Sequence, residues 1–71
     1  MEPVSKSTRI AIIKTELEAY SNSIYVYELR ARVAKRLEDK EGGKKLTEEL
    51  VKLETARDFL MEELDKVEKE E

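Results

Sequence analysis

Ile10, Ile13, Leu17, Tyr20, Ile24, Tyr27, Ala31 and Ala34 recur at steps of 3, 4, 3, 4, 3, 4 and 3 without interruption. Such spacing places all eight on one stripe of an α-helix and scatters them over both faces of a strand, whose side chains alternate every second residue. A heptad stripe this long needs a second helix laid along it. The same chain supplies one: Leu46, Leu50, Leu53, Leu60, Leu64 and Val67 step by 4, 3, 7, 4 and 3, and Arg57 stands where the repeat wants an apolar residue. The fold class read from these two stripes is all-α, a helical hairpin of coiled-coil type.

Gly42-Gly43 is the only glycine pair, lying between the two periodic segments, and it reads as the helix stop. Thr47 then reads as an N-cap, with Glu48 and Glu49 in the first turn and Leu46 stapled to Val51. These signals predict one domain over 1–71: a helix at about 7–41, a turn at 42–47 and a shorter helix at about 48–69. The polar triplet Ser21-Asn22-Ser23, followed by strand-favouring Ile24-Tyr25-Val26-Tyr27, raises the alternative of a three-helix monomer broken there. The heptad phase runs through the triplet unchanged, which favours a continuous helix.

Two apolar surfaces are left over in that hairpin. Unequal helix lengths would leave Ile10, Ile12, Ile13 and Leu17 overhanging as anchors for a partner. A second stripe, Val26, Leu29, Val33 and Leu37, lies away from the Tyr27, Ala31 and Ala34 face, and a single helical neighbour covers one face only. The expected remedy is a homodimeric antiparallel four-helix bundle, with Tyr20, Ile24, Tyr27, Leu53, Leu60 and Leu64 joining the second stripe in its core.

Composition removes several chemistries. Within 71 residues there is no Cys and no His, so disulfides, thiol nucleophiles, imidazole bases and zinc cages are excluded. No cofactor or metal site is expected. No apolar run approaches the roughly 20 residues of a membrane span, and no signal-like apolar stretch follows Met1, which points to a cytoplasmic protein with no membrane partner. Glu (14) and Lys (9) dominate while Gln is absent and Asn occurs once, a balance shared with hyperthermophile proteins and with any long solvated helix. Charge is uneven: residues 1–37 carry seven basic and four acidic side chains, and 38–71 carry seven basic and thirteen acidic. Laid antiparallel, the acidic half would face Arg30, Arg32, Lys35 and Arg36 and help fix register.

Individual residues allow sharper readings. A turn at Gly42-Gly43 brings Arg57 near Ala31 and Glu28, so Arg57 and Glu28 are expected to pair and set register. Glu54, Asp58 and Glu62 form an i, i+4 acidic ladder without the accompanying pattern of a calcium loop or a Glu-x-x-His site. The arginines with Tyr25 and Tyr27 are the nucleic-acid candidate, and a hairpin dimerising into four helices resembles in shape the plasmid-copy-control RNA-binding proteins; the net charge of −3 argues against that role. Glu63-Leu64-Asp65 resembles the end of the Ser-Gln-Glu-Leu-Asp motif of helical-hairpin aspartyl-phosphate phosphatases, which act on response regulators. Met61 and Glu62 stand at the Ser-Gln pair, so the positioning glutamine is missing.

These observations together predict a small non-enzymatic protein–protein interaction module: an adaptor, inhibitor or assembly factor, of the kind found as viral or plasmid accessory proteins. Ile10, Ile12, Ile13 and Leu17 are its expected anchors, and Arg30, Arg32 and Arg36 would steer an acidic partner. A nucleic-acid-binding bundle and a response-regulator phosphatase are the alternatives.

Overall fold

The computed structural model describes residues 4–70 and contains two antiparallel α-helices, α1 (Lys6–Arg36) and α2 (Lys40–Glu68). Helix α1 begins at Ser5, whose extended backbone and side-chain oxygen cap the amide of Thr8 at 3.3 Å. It continues without a break through Ser21-Asn22-Ser23, so the three-helix alternative is overturned. The intact heptad phase outweighs the local turn and strand preferences of that segment.

The turn lies before the glycines. α1 ends with Leu37 as C-cap, and Glu38 takes the left-handed conformation at φ 58°. The Asp39 amide donates to the Ala34 carbonyl at 2.8 Å and the Glu38 amide to that of Lys35 at 3.1 Å, the paired bonds that close a left-handed helix end. Asp39 immediately caps α2, its Oδ1 accepting from the Gly42 amide at 2.9 Å. Gly42 and Gly43 are thus helical, and neither has positive φ. This corrects the turn expected at 42–47. Thr47 is not a cap either: its hydroxyl donates to the Gly43 carbonyl at 2.9 Å within α2.

Helix length explains why the chain turns early. The helices have 31 and 29 residues, so they run side by side for almost their full length. A turn at the glycines would strand the first two turns of α1 in water. Turning at 37–39 lets Ile10, Ile13 and Leu17 enter the seam, where all three are largely covered. That contributes about 1 kcal/mol for each partly buried side chain, against about 1–2 kcal/mol for a left-handed glutamate. The expected overhang does not exist, and of its four residues Ile12 alone is exposed.

The seam contains the predicted residues and little else. Every member of both stripes is at least half-buried, yet only Ile24, Ala34 and Val67 are counted as core and no described side chain is fully enclosed. At the open end, Arg9 grips Glu70 with two hydrogen bonds of 2.8 and 3.1 Å, and Lys6 donates to the Glu70 carbonyl. The molecule is a rod of 52 × 21 × 14 Å with a radius of gyration of 16.3 Å. A compact globule of this length would have a radius of gyration of about 11 Å.

Candidate interaction surface

The outer side of α1 carries the unusual chemistry of this surface. Val26, Leu29, Val33 and Leu37 are 41, 40, 57 and 72% exposed, so the second stripe has no cover within the hairpin. Stepping back from Val26 by 4, 3, 4 and 3 residues reaches Asn22, Ala19, Thr15 and Ile12, all exposed. From Ile12 to Val33 the stripe is therefore a second heptad seam running along most of α1. It lies roughly opposite the first, because its positions fall between successive seam residues on the far side of the wheel. α1 is accordingly less amphipathic than α2, its apolar side chains being split between two faces.

Sequence reasoning found the two ends of this stripe and treated them as separate features. The middle was missed because Thr15, Ala19 and Asn22 are small or polar and do not register as apolar positions. The 3–4 spacing from Val26 back to Ile12 was the available signal. Thr15 fits the surface because its hydroxyl is satisfied within the helix, donating to the Ala11 carbonyl at 3.0 Å. Tyr25, 57% exposed, borders the stripe. α2 has no counterpart: Val51, Phe59 and Met61 are exposed but lie in three different columns of its heptad, separated by charged residues.

Charge placement differs from expectation. A Cβ built on Gly43 would sit 3.9 Å from the Ala34 Cβ, so these two residues face each other. Counting equal steps away from them sets the Arg30–Arg36 level of α1 against Glu41, Lys44 and Lys45, not against the acidic part of α2. Among the described residues none of Arg30, Arg32, Lys35 and Arg36 forms an ion pair within the chain. The shifted turn is the reason. Lys35 and Arg36 occupy the last turn, where cations complement the helix dipole. Arg30 lies over the Tyr27 ring, 5.3 Å from its centroid.

The same shift separates Arg57 from Glu28. Arg57 is half-buried in the seam at the level of Tyr20 and bonds its neighbour Asp58, Nη2 to Oδ1 at 3.2 Å. The expected Arg57–Glu28 register pair is not formed. In the Glu63-Leu64-Asp65 string, Leu64 belongs to the seam, Glu63 pairs with Lys66 at 3.6 Å and Asp65 accepts from Lys69 at 2.9 Å.

The Arg9–Glu70 clamp shifts the titration of both its members. The hydrogen bonds from Arg9 hold the Glu70 carboxyl below the ordinary glutamate range, against a smaller desolvation effect, with added attraction from the charges of Arg9 and Lys6. Arg9 is raised correspondingly, chiefly by the same hydrogen bonds. Near the turn, the small residues Ala31, Ala34 and Gly43 leave an open cleft of about 590 Å³, whose rim mixes Lys35 and Lys40 with Glu38 and Asp39. Among the described residues there is no group of three metal-ligating side chains, and no helix is long and apolar enough to cross a membrane.

Comparison with models of known families, with curated proteins and with solved structures finds no match to this chain.

Proposed function

We propose that this chain is a non-enzymatic protein–protein interaction module, an assembly factor or adaptor that works in the cytoplasm through the outer face of α1. A second copy of itself is the first partner, and the adaptor, inhibitor or assembly task belongs to the resulting dimer. The observation that carries this reading is the continuous exposed stripe from Ile12 to Val33, flanked by arginines that form no ion pair among the described residues.

Surface area gives the argument a magnitude. The chain exposes 5925 Å². A folded monomer of 8.3 kDa would expose about 4,600 Å². The surplus is about 1,300 Å², more than the roughly 800 Å² each partner contributes to a standard interface. A two-helix rod with so thin a core has both the surface to associate and a reason to do so.

Light scattering on the wild-type chain and on Leu29→Asp tests the reading. The expected result is a dimer that Leu29→Asp converts to monomer. A wild-type monomer at all accessible concentrations would refute it. A nucleic-acid-binding dimer is the second reading, favoured by the exposure of Arg30, Arg32, Lys35 and Arg36 beside exposed Tyr25. It predicts a band shift that weakens steeply with salt.

A further inference from the structure

We infer that two copies join through α1 alone, antiparallel across a two-fold axis near Ile24, in a register set by Glu16 facing the partner's Arg30 and Glu18 facing the partner's Arg32. This rests on the self-association proposed above and specifies its geometry.

Side-chain size sets the direction. The N-terminal half of the outer stripe is small or polar (Thr15, Ala19, Asn22), and the C-terminal half is large and apolar (Val26, Leu29, Val33). A parallel pair would set large against large at one end and leave Ala19 facing the partner's Ala19 across a gap. An antiparallel pair sets Val33 against the partner's Thr15, Leu29 against the partner's Ala19, and Val26 against the partner's Asn22. Large residues then fill the space beside small ones along the whole seam, as close packing requires.

Charge sets the register. Heptad positions bordering the stripe hold Glu16 and Glu18 in its first half and Arg30 and Arg32 in its second. In the pairing just described each glutamate meets an arginine of the other copy, and the symmetry makes every contact twice. Sliding one helix by a heptad toward its own centre would bring Arg9 to the partner's Arg30 and leave Glu16 beside the partner's Ser23. A parallel pair would stack the acidic half on the acidic half and the basic half on the basic half. The arginines are available because the turn at 37–39 sets them against Glu41, Lys44 and Lys45 within their own hairpin, and neither Arg30 nor Arg32 forms an ion pair among the described residues. Because the two seams of α1 are on opposite sides, the four helices form a flat layer in the order α2, α1, α1, α2, in place of a closed bundle.

The chain has no cysteine, so introduced ones report cleanly. Thr15→Cys and Val33→Cys chains, mixed and mildly oxidised, are expected to give a disulfide-linked heterodimer, while neither variant alone gives a linked homodimer. A charge exchange checks register independently. Glu16→Arg/Glu18→Arg and Arg30→Glu/Arg32→Glu each place like charges together in their own homodimer, and each should dimerise at least tenfold more weakly than wild type. Mixed in equal amounts they restore every opposite pair, and affinity should return to within about threefold of wild type. Linked homodimers from each cysteine variant alone would establish a parallel arrangement and overturn the inference. A wild-type dimer that shows neither the mixed crosslink nor the charge rescue would place the interface on another face, overturning the geometry while leaving self-association intact. A wild-type monomer by light scattering would overturn both.

Discussion

Replacing Glu38 by glycine should stabilise the protein, and the sign of the effect tests where the chain turns. Glu38 sits at φ 58°, where a side chain bearing Cβ is strained by about 1–2 kcal/mol and glycine is not. Part of that relief is offset by the greater freedom of glycine in the unfolded chain, leaving a net gain of about 0.5–1 kcal/mol. For a domain of this size the gain corresponds to a rise in melting temperature of about 2–8 °C. Thermal melts followed by circular dichroism, at one fixed protein concentration because association shifts Tm, would measure it. Glu38→Ala is the control: it keeps the strain and removes one negative charge from the C-terminal end of α1, a change of about 0.3 kcal/mol. Had the helix run on to residue 41 and turned at the glycines, Glu38→Gly would place glycine in a helix interior and lose about 1 kcal/mol. A fall in Tm would therefore refute the turn at 37–39.

Gly43→Ala should give the matching result, a gain of about 0.5–1 kcal/mol in chemical denaturation, because the added methyl meets Ala34 at an ordinary 3.9 Å within a helix. Gly42→Ala should not, since its methyl would overlap Asp39 Oδ2 and displace the carboxylate that caps α2. Arg57→Leu should raise Tm by a few degrees, because it fills the one polar position of the α2 seam and breaks only a contact with neighbouring Asp58. Glu70 should titrate below an ordinary glutamate in a carboxyl NMR titration and return to the ordinary range in Arg9→Met. Its folded-state value is the depressed one, so the clamp is fully formed above the unfolded value near 4.5 and is lost as pH falls through the folded value. An unchanged Glu70 midpoint in Arg9→Met would rule out the clamp as the cause.

The hairpin was legible because its evidence is periodic and long. Eight residues of α1 and six of α2 hold one phase each, and no local preference at Ser21–Ser23 competes with burying all of them. The turn was not legible because its chemistry is carried by the wrong residue. A glutamate in the left-handed position has no sequence signal, whereas a glycine pair a few residues later has a strong one. What selects the true turn is global, namely the equal helix lengths that bury Ile10, Ile13 and Leu17. That one shift of the turn removed the overhang, moved Arg57 away from Glu28 and left the basic end of α1 without an ion pair among the described residues. The outer stripe survived these corrections because it depends on spacing within α1 and not on the register between helices.

The central claim is that this stripe is a surface built for a second copy of the chain, and its most direct test is the solution mass. Sedimentation equilibrium across a wide concentration range should yield twice 8.3 kDa for the wild-type chain and 8.3 kDa for Leu29→Asp. A single 8.3 kDa species for the wild type throughout, with the helices intact, would contradict it.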